Sequence, residues 1–169
     1  MKPGLADRVL DVVSTLAVAL WLGGYATVGA VVAPLVFGMV PAPTSGDAMT
    51  AVFQRFDRVA IACAAIALLC EVGHAALRSR AVTRFDMARA ALLTVAAGLA
   101  VYVATVVSPH IVELHQGGAI RGVGPAGLEL DAVHHTAELL AKLELALLAA
   151  ALVLLASRET GPAAPHRVR

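Results

Sequence analysis

Charge is absent from long stretches of this chain, and its distribution divides the sequence into four apolar blocks. No charged side chain occurs from Val12 to Gly46, a run longer than the roughly 20 apolar residues that cross the hydrocarbon core of a bilayer. Ala90–Pro109 is a second uncharged run of about spanning length, bounded by Arg89 and by His110 and Glu113. Between these two, Val59–Leu77 is apolar apart from Glu71 and His74, and the last block, Ala132–Ala156, carries Glu138, Lys142 and Glu144. The pattern predicts an all-α, integral membrane four-helix bundle with spans at about 10–38, 52–77, 88–110 and 132–157. These form a single domain over residues 1–160, followed by a disordered tail from 161 to 169. Lys2 and Arg8 resemble the basic start of a signal peptide, but the apolar run behind them far exceeds the roughly 7–15 residues of a signal core.

The basic residues set the expected orientation. With four spans, Lys2, Arg8, Arg78, Arg80, Arg84, Arg89, Arg158, Arg167 and Arg169 fall on one side, and only Arg55, Arg58 and Arg121 on the other. Positive residues near span ends stay cytoplasmic, so both termini are expected inside, in a multi-pass protein of a bacterial inner (plasma) membrane. Pro41-Ala-Pro-Thr-Ser-Gly46 then reads as an outer turn, and Gln116 to Gly127, rich in glycine, as an outer loop.

Composition agrees with the pattern. Of 169 residues, 59% are hydrophobic and 15% charged, too few to cover the surface of a soluble fold. A net charge of +1 leaves no basic footprint for nucleic acid. Cys63 and Cys70, a heptad apart within one span, read as small core residues, with a soft Cu(I) thiolate pair as the other reading.

In the first span, Gly23, Gly24, Gly29 and Ala33 suit close helix packing, with Trp21 too deep to be an interface anchor. Pro34 should kink this helix in its outer third. Ionisable groups inside a membrane cost a few kcal/mol each and so face the bundle interior and pair, which makes Glu71, His74, Lys142 and Glu144 informative. Asp131, His135, Glu138 and Lys142 recur at spacings of four, three and four on one helical stripe, and Glu138 and Lys142 can pair. Glu144 lies almost opposite that stripe and needs another partner, a proton or a subunit interface.

The outer ends of the third and fourth spans are richest in candidate ligands. His110-Ile-Val-Glu113 and His135-Thr-Ala-Glu138 each place an imidazole and a carboxylate three residues apart, on one helical face, a spacing that can offer two ligands per helix to a divalent transition metal. Asp131, His115 and His134 lie nearby. A solvated, ion-paired interface belt accounts for the same residues. Haem is the weaker cofactor reading, since His74 lies at the opposite membrane face from the other histidines. No catalytic triad order, phosphate-binding glycine loop or zincin motif is present, and no catalytic residues are assigned.

Trp21-Leu-Gly-Gly24, Ala33-Pro34-Leu-Val-Phe37, Phe53, Ser108-Pro109-His110, and His135 followed seven residues later by a polar residue resemble the domain-of-unknown-function 4149 family, also called transmembrane protein 205-like. The resemblance runs from about Leu16 to Leu155 and implies a four-helix membrane protein without an established activity. Where the family pattern has a Ser and an Asn in the turns after the last histidine, this chain has Leu139 and Lys142. The expected function is non-enzymatic: handling or transport of a metal or small solute at the outer His/Glu cluster. The alternatives are a haem- or quinone-linked membrane redox protein and a structural or assembly subunit. The lipid bilayer is the expected partner, with a second copy or a membrane protein beside it.

Overall fold

The computed structural model describes residues 4–77 and 82–157, so the expected tail at 161–169 and the arginines at 78 and 80 lie outside the described residues. The described residues form four long helices: α1, Leu5–Met39; α2, Thr44–Leu77; α3, Arg84–Gln116; and α4, Gly124–Ser157. All four are long and apolar enough to cross a membrane. Each runs past the uncharged block that predicted it. The 34-residue α2 and α4 are about 51 Å long at 1.5 Å per residue, roughly 20 Å more than a hydrocarbon core.

Neighbours in sequence are neighbours in space. α1 packs against α2, α2 against α3, α3 against α4, and α4 closes the ring on α1. Two ends follow: a hairpin end with the α1–α2 and α3–α4 connections, and a terminal end with the starts of α1 and α3 and the ends of α2 and α4. The core is lined by small residues, among them Ala17, Ala60, Ala64, Ala67, Ala96, Ala100 and Ala151, around the larger Trp21, Phe56, Leu93 and Leu148. Small side chains let helix backbones approach closely where lipid removes the hydrophobic drive between helices. Leu16, Leu20, Leu69, Val95, Leu139 and Val153 point outward, as an apolar solvent requires.

Both prolines within spans act through a widened turn. Val28–Val32 and Val103–Val107 are π-helical, and the amides of Ala33 and Ser108 bond five residues back, to the carbonyls of Val28 and Val103. Pro34 and Pro109 follow directly. Each lacks an amide hydrogen and crowds the carbonyl four residues earlier, and the wider turn relieves that crowding. The expected disturbance at Pro34 is therefore a π turn, with the helix continuing to Met39.

Gly24 marks the tightest approach of α1 to α2: a Cβ there would collide with the Phe56 ring. Gly23 and Gly29 face open space, so of the three glycines expected at a packing face only Gly24 is at a close contact. In the α3–α4 connection, Gly118 and Gly122 take positive φ (78° and 76°), where glycine carries no steric penalty. Thr83 starts α3 with a capping box: its hydroxyl accepts from the Asp86 amide (3.2 Å), and Asp86 accepts from the Thr83 amide (3.0 Å).

Candidate functional site

Polar side chains gather at three levels of the bundle, and burial separates them. At the terminal end, Arg89 of α3 is 1% exposed and grips Glu71 of α2 with two hydrogen bonds, Nε to Oε1 at 2.8 Å and Nη2 to Oε2 at 2.6 Å. One turn along α2, buried His74 meets α1, with Nε2 3.0 Å from Asp11 and Nδ1 3.9 Å from Asp7. Glu71 and His74 thus tie three helices together. Bidentate Arg–carboxylate geometry makes the first of these pairs a rigid clamp.

In the middle of the bundle sits Glu144, fully buried. The Tyr25 hydroxyl donates to its Oε2 at 2.9 Å, and Oε1 is buried with no hydrogen-bond partner. The Trp21 indole lies beside the carboxylate, its N–H without a well-formed hydrogen bond. Tyr25 also packs edge-on against Phe56, ring centroids 4.7 Å apart, so the α1–α2 contact at Gly24 holds the phenol in place. Next to Phe56, buried Asp57 accepts a hydrogen bond from the Ser108 hydroxyl at 2.7 Å and lies within electrostatic range of Glu144 and Tyr25. Ser108 is the residue at which the π turn of α3 ends.

The chemistry follows from the count of charges. Two buried carboxylates share this level, while Arg89, the one Lys or Arg among the buried described residues, is committed to Glu71. Uncompensated buried anions cost several kcal/mol each, so the level is suited to hold protons or a small cation.

The hairpin end carries the expected metal-ligand residues as an exposed belt. His110 Nε2 pairs with Glu129 at 3.0 Å, and its Nδ1 is 3.9 Å from Glu113. Asp131 is engaged by Arg121 at 2.5 Å and by His135 at 3.7 Å; Glu138 faces Lys142 at 3.6 Å; His115 and His134 meet edge to face. The belt brings His110 to Glu113 but holds His135 and Glu138 in other pairs. Among the described residues no group of three or more His, Cys, Asp or Glu side chains is arranged to hold a metal ion. Haem ligation by paired histidines meets the same geometry, since His74 is at the terminal end and His110 and His135 at the other. Cys63 and Cys70 are buried and unbridged.

Sequence reasoning singled out Glu144 and its need of a partner, and saw in Asp57, with Arg55 and Arg58, only an extension of the polar stripe of the fourth span; it did not connect Tyr25, Asp57 or Ser108 with Glu144. Tyr25, one turn from Trp21 and beside Gly24, was the available signal. Because Glu144 points into its own chain, it supplies no argument for a subunit interface.

The profile of a family described as Domain of unknown function (DUF4149) matches residues 16–119. No curated protein and no solved structure matches the chain.

Proposed function

The chain belongs to the DUF4149 family of membrane-spanning domains of unknown function, and from that premise we propose that it is a non-enzymatic protein that moves a small solute or cation across the membrane, with a proton bound and released at Glu144. The observation that carries this reading is a fully buried carboxylate with one oxygen bonded to Tyr25 and the other without a partner, with Asp57 in electrostatic range. Ionisable groups held inside a membrane bundle are costly, and proton relays and ion pathways are built from them. The charge bias supports a bacterial inner membrane with both termini inside, and four helices leave little room for a pore, which favours a pair of chains.

The metal-handling form of the reading belongs to His110, Glu113, His135 and Glu138. It requires His110 to leave Glu129 and Glu138 to leave Lys142 before the four could converge. The test of the leading reading is purified protein in liposomes with a pH-sensitive dye inside and an imposed pH gradient. Proton flux is expected in wild type and in Glu138→Gln, and its loss in Glu144→Gln. Equal flux in all three, or none above empty liposomes, would overturn it.

A further inference from the structure

Resting on that reading, we propose that a groove between α2 and α3 at the hairpin end is the mouth of a hydrated path that delivers protons to Asp57 and on to Glu144. Its α2 wall presents Asp47, Thr50 and Gln54, and its α3 wall Val112 and His115; the cavity measures about 380 Å³. At about 30 Å³ per liquid water, that is room for several ordered molecules with polar partners on both walls.

The groove points at the buried site. Along α2, Asp47, Thr50, Gln54 and Asp57 follow one another at spacings of three, four and three, which stacks them on one helical face. Along α3, Ser108, Val112 and His115 do the same at four and three. The two rows converge on the Ser108–Asp57 hydrogen bond of 2.7 Å. The row passes from water inward at its last step: Asp47 and Gln54 are exposed, Thr50, Val112, His115 and Ser108 half-buried, and Asp57, one turn beyond Gln54, is buried.

Beyond Asp57 the route turns inward. Phe56, next to Asp57 in the chain, packs on Tyr25 within the core, and the Tyr25 hydroxyl is already hydrogen-bonded to Glu144. The partnerless Oε1 of Glu144 is the free acceptor at the end of the row. The titratable groups along the way are Asp47 and Asp57 of α2, His115 of α3, His134 of α4 against His115, and Tyr25. The row runs through a π turn on its α3 side, where a proline-widened backbone leaves Ser108 facing α2. Neither sequence pattern nor family membership assigns the groove a role.

Thiol accessibility tests the path directly. In a Cys63→Ala, Cys70→Ala background, single cysteines replace Ser108 and Val112 on the groove side of α3 and, on its outward side, Val106, 49% exposed and about 3 Å along the axis from Ser108, and Glu113, exposed and one residue from Val112, as the control for each depth. A membrane-impermeant, positively charged methanethiosulfonate is added to the face that carries Asp47. Ser108→Cys is expected to react at least about tenfold faster than Val106→Cys, and Val112→Cys at least as fast as Glu113→Cys, since thiol reactivity follows access to water and ionisation. Val112→Cys keeps the test valid if Ser108→Cys fails to fold. Reaction of Ser108→Cys no faster than Val106→Cys, and of Val112→Cys slower than Glu113→Cys, while liposome flux still depends on Glu144, would overturn the path and leave the proposed function standing. Fast reaction with a flux that ignores Glu144→Gln would keep the path and remove the function.

Discussion

The two faces of α4 hold carboxylates six residues apart in very different circumstances. Glu138 stands on the outer face, its side chain 53% exposed and paired with Lys142, itself 69% exposed. Glu144 is fully buried against Tyr25 and Trp21. The exposed pair lies within two turns of Glu144 along α4 but on the outward face, against the expectation that Lys142 faces the bundle interior, and there Glu138 and Lys142 serve each other's charge. The buried one has the Tyr25 hydroxyl as its one well-formed donor, the Trp21 indole beside it, and among the buried described residues no Lys or Arg but Arg89, which is committed to Glu71. A charge that solvent can serve adds little, whereas a charge that only the protein can serve must be matched, neutralised or used.

Substitutions can break that contrast, beginning with the largest effect. Arg89→Ala leaves Glu71 without its bidentate partner at the terminal end and should destabilise the protein by about 3–5 kcal/mol, read as a loss of folded, monodisperse protein in mild detergent. Gly24→Val drives a side chain into Phe56 and should cost ~3 kcal/mol, at the upper end of ordinary overpacking, seen as a lowered Tm in detergent. Gly29→Val, facing open space, should leave the same Tm nearly unchanged. Tyr25→Phe keeps the ring on Phe56 but removes the one hydrogen bond to Glu144. A cost of about 1–2 kcal/mol is expected, with proton flux in liposomes reduced. Lys142→Gln is expected to change stability by at most about 0.5 kcal/mol; a large drop would mean that the belt is covered in the working protein.

The spans were legible because a bilayer imposes a strict rule: long uncharged runs have one good solution. Helix ends were less so. α2 begins at Thr44 and α3 runs to Gln116, because a helix does not stop where its apolar face does. Glu71, His74 and Glu144 were recognisable from composition alone, as ionisable groups in apolar surroundings. Their partners were not. Asp57, Ser108 and Tyr25 are ordinary residues in their own segments and become a site only when α1, α2, α3 and α4 are arranged as neighbours. The His-x-x-Glu spacing drew attention to the hairpin end, yet such spacing brings a pair together on one helix and says nothing of the facing helix. Glu129 and Arg121, outside the pattern, take up His110 and Asp131.

The most direct test of the claim that Glu144 is the working group is infrared difference spectroscopy of the protein in lipid, taken between acid and alkaline pH and repeated in deuterium oxide. A protonated-carboxyl C=O band that shifts on deuteration, is absent in Glu144→Gln and persists in Glu138→Gln is the predicted result. A band unchanged by Glu144→Gln would place the exchanging proton elsewhere and contradict the account.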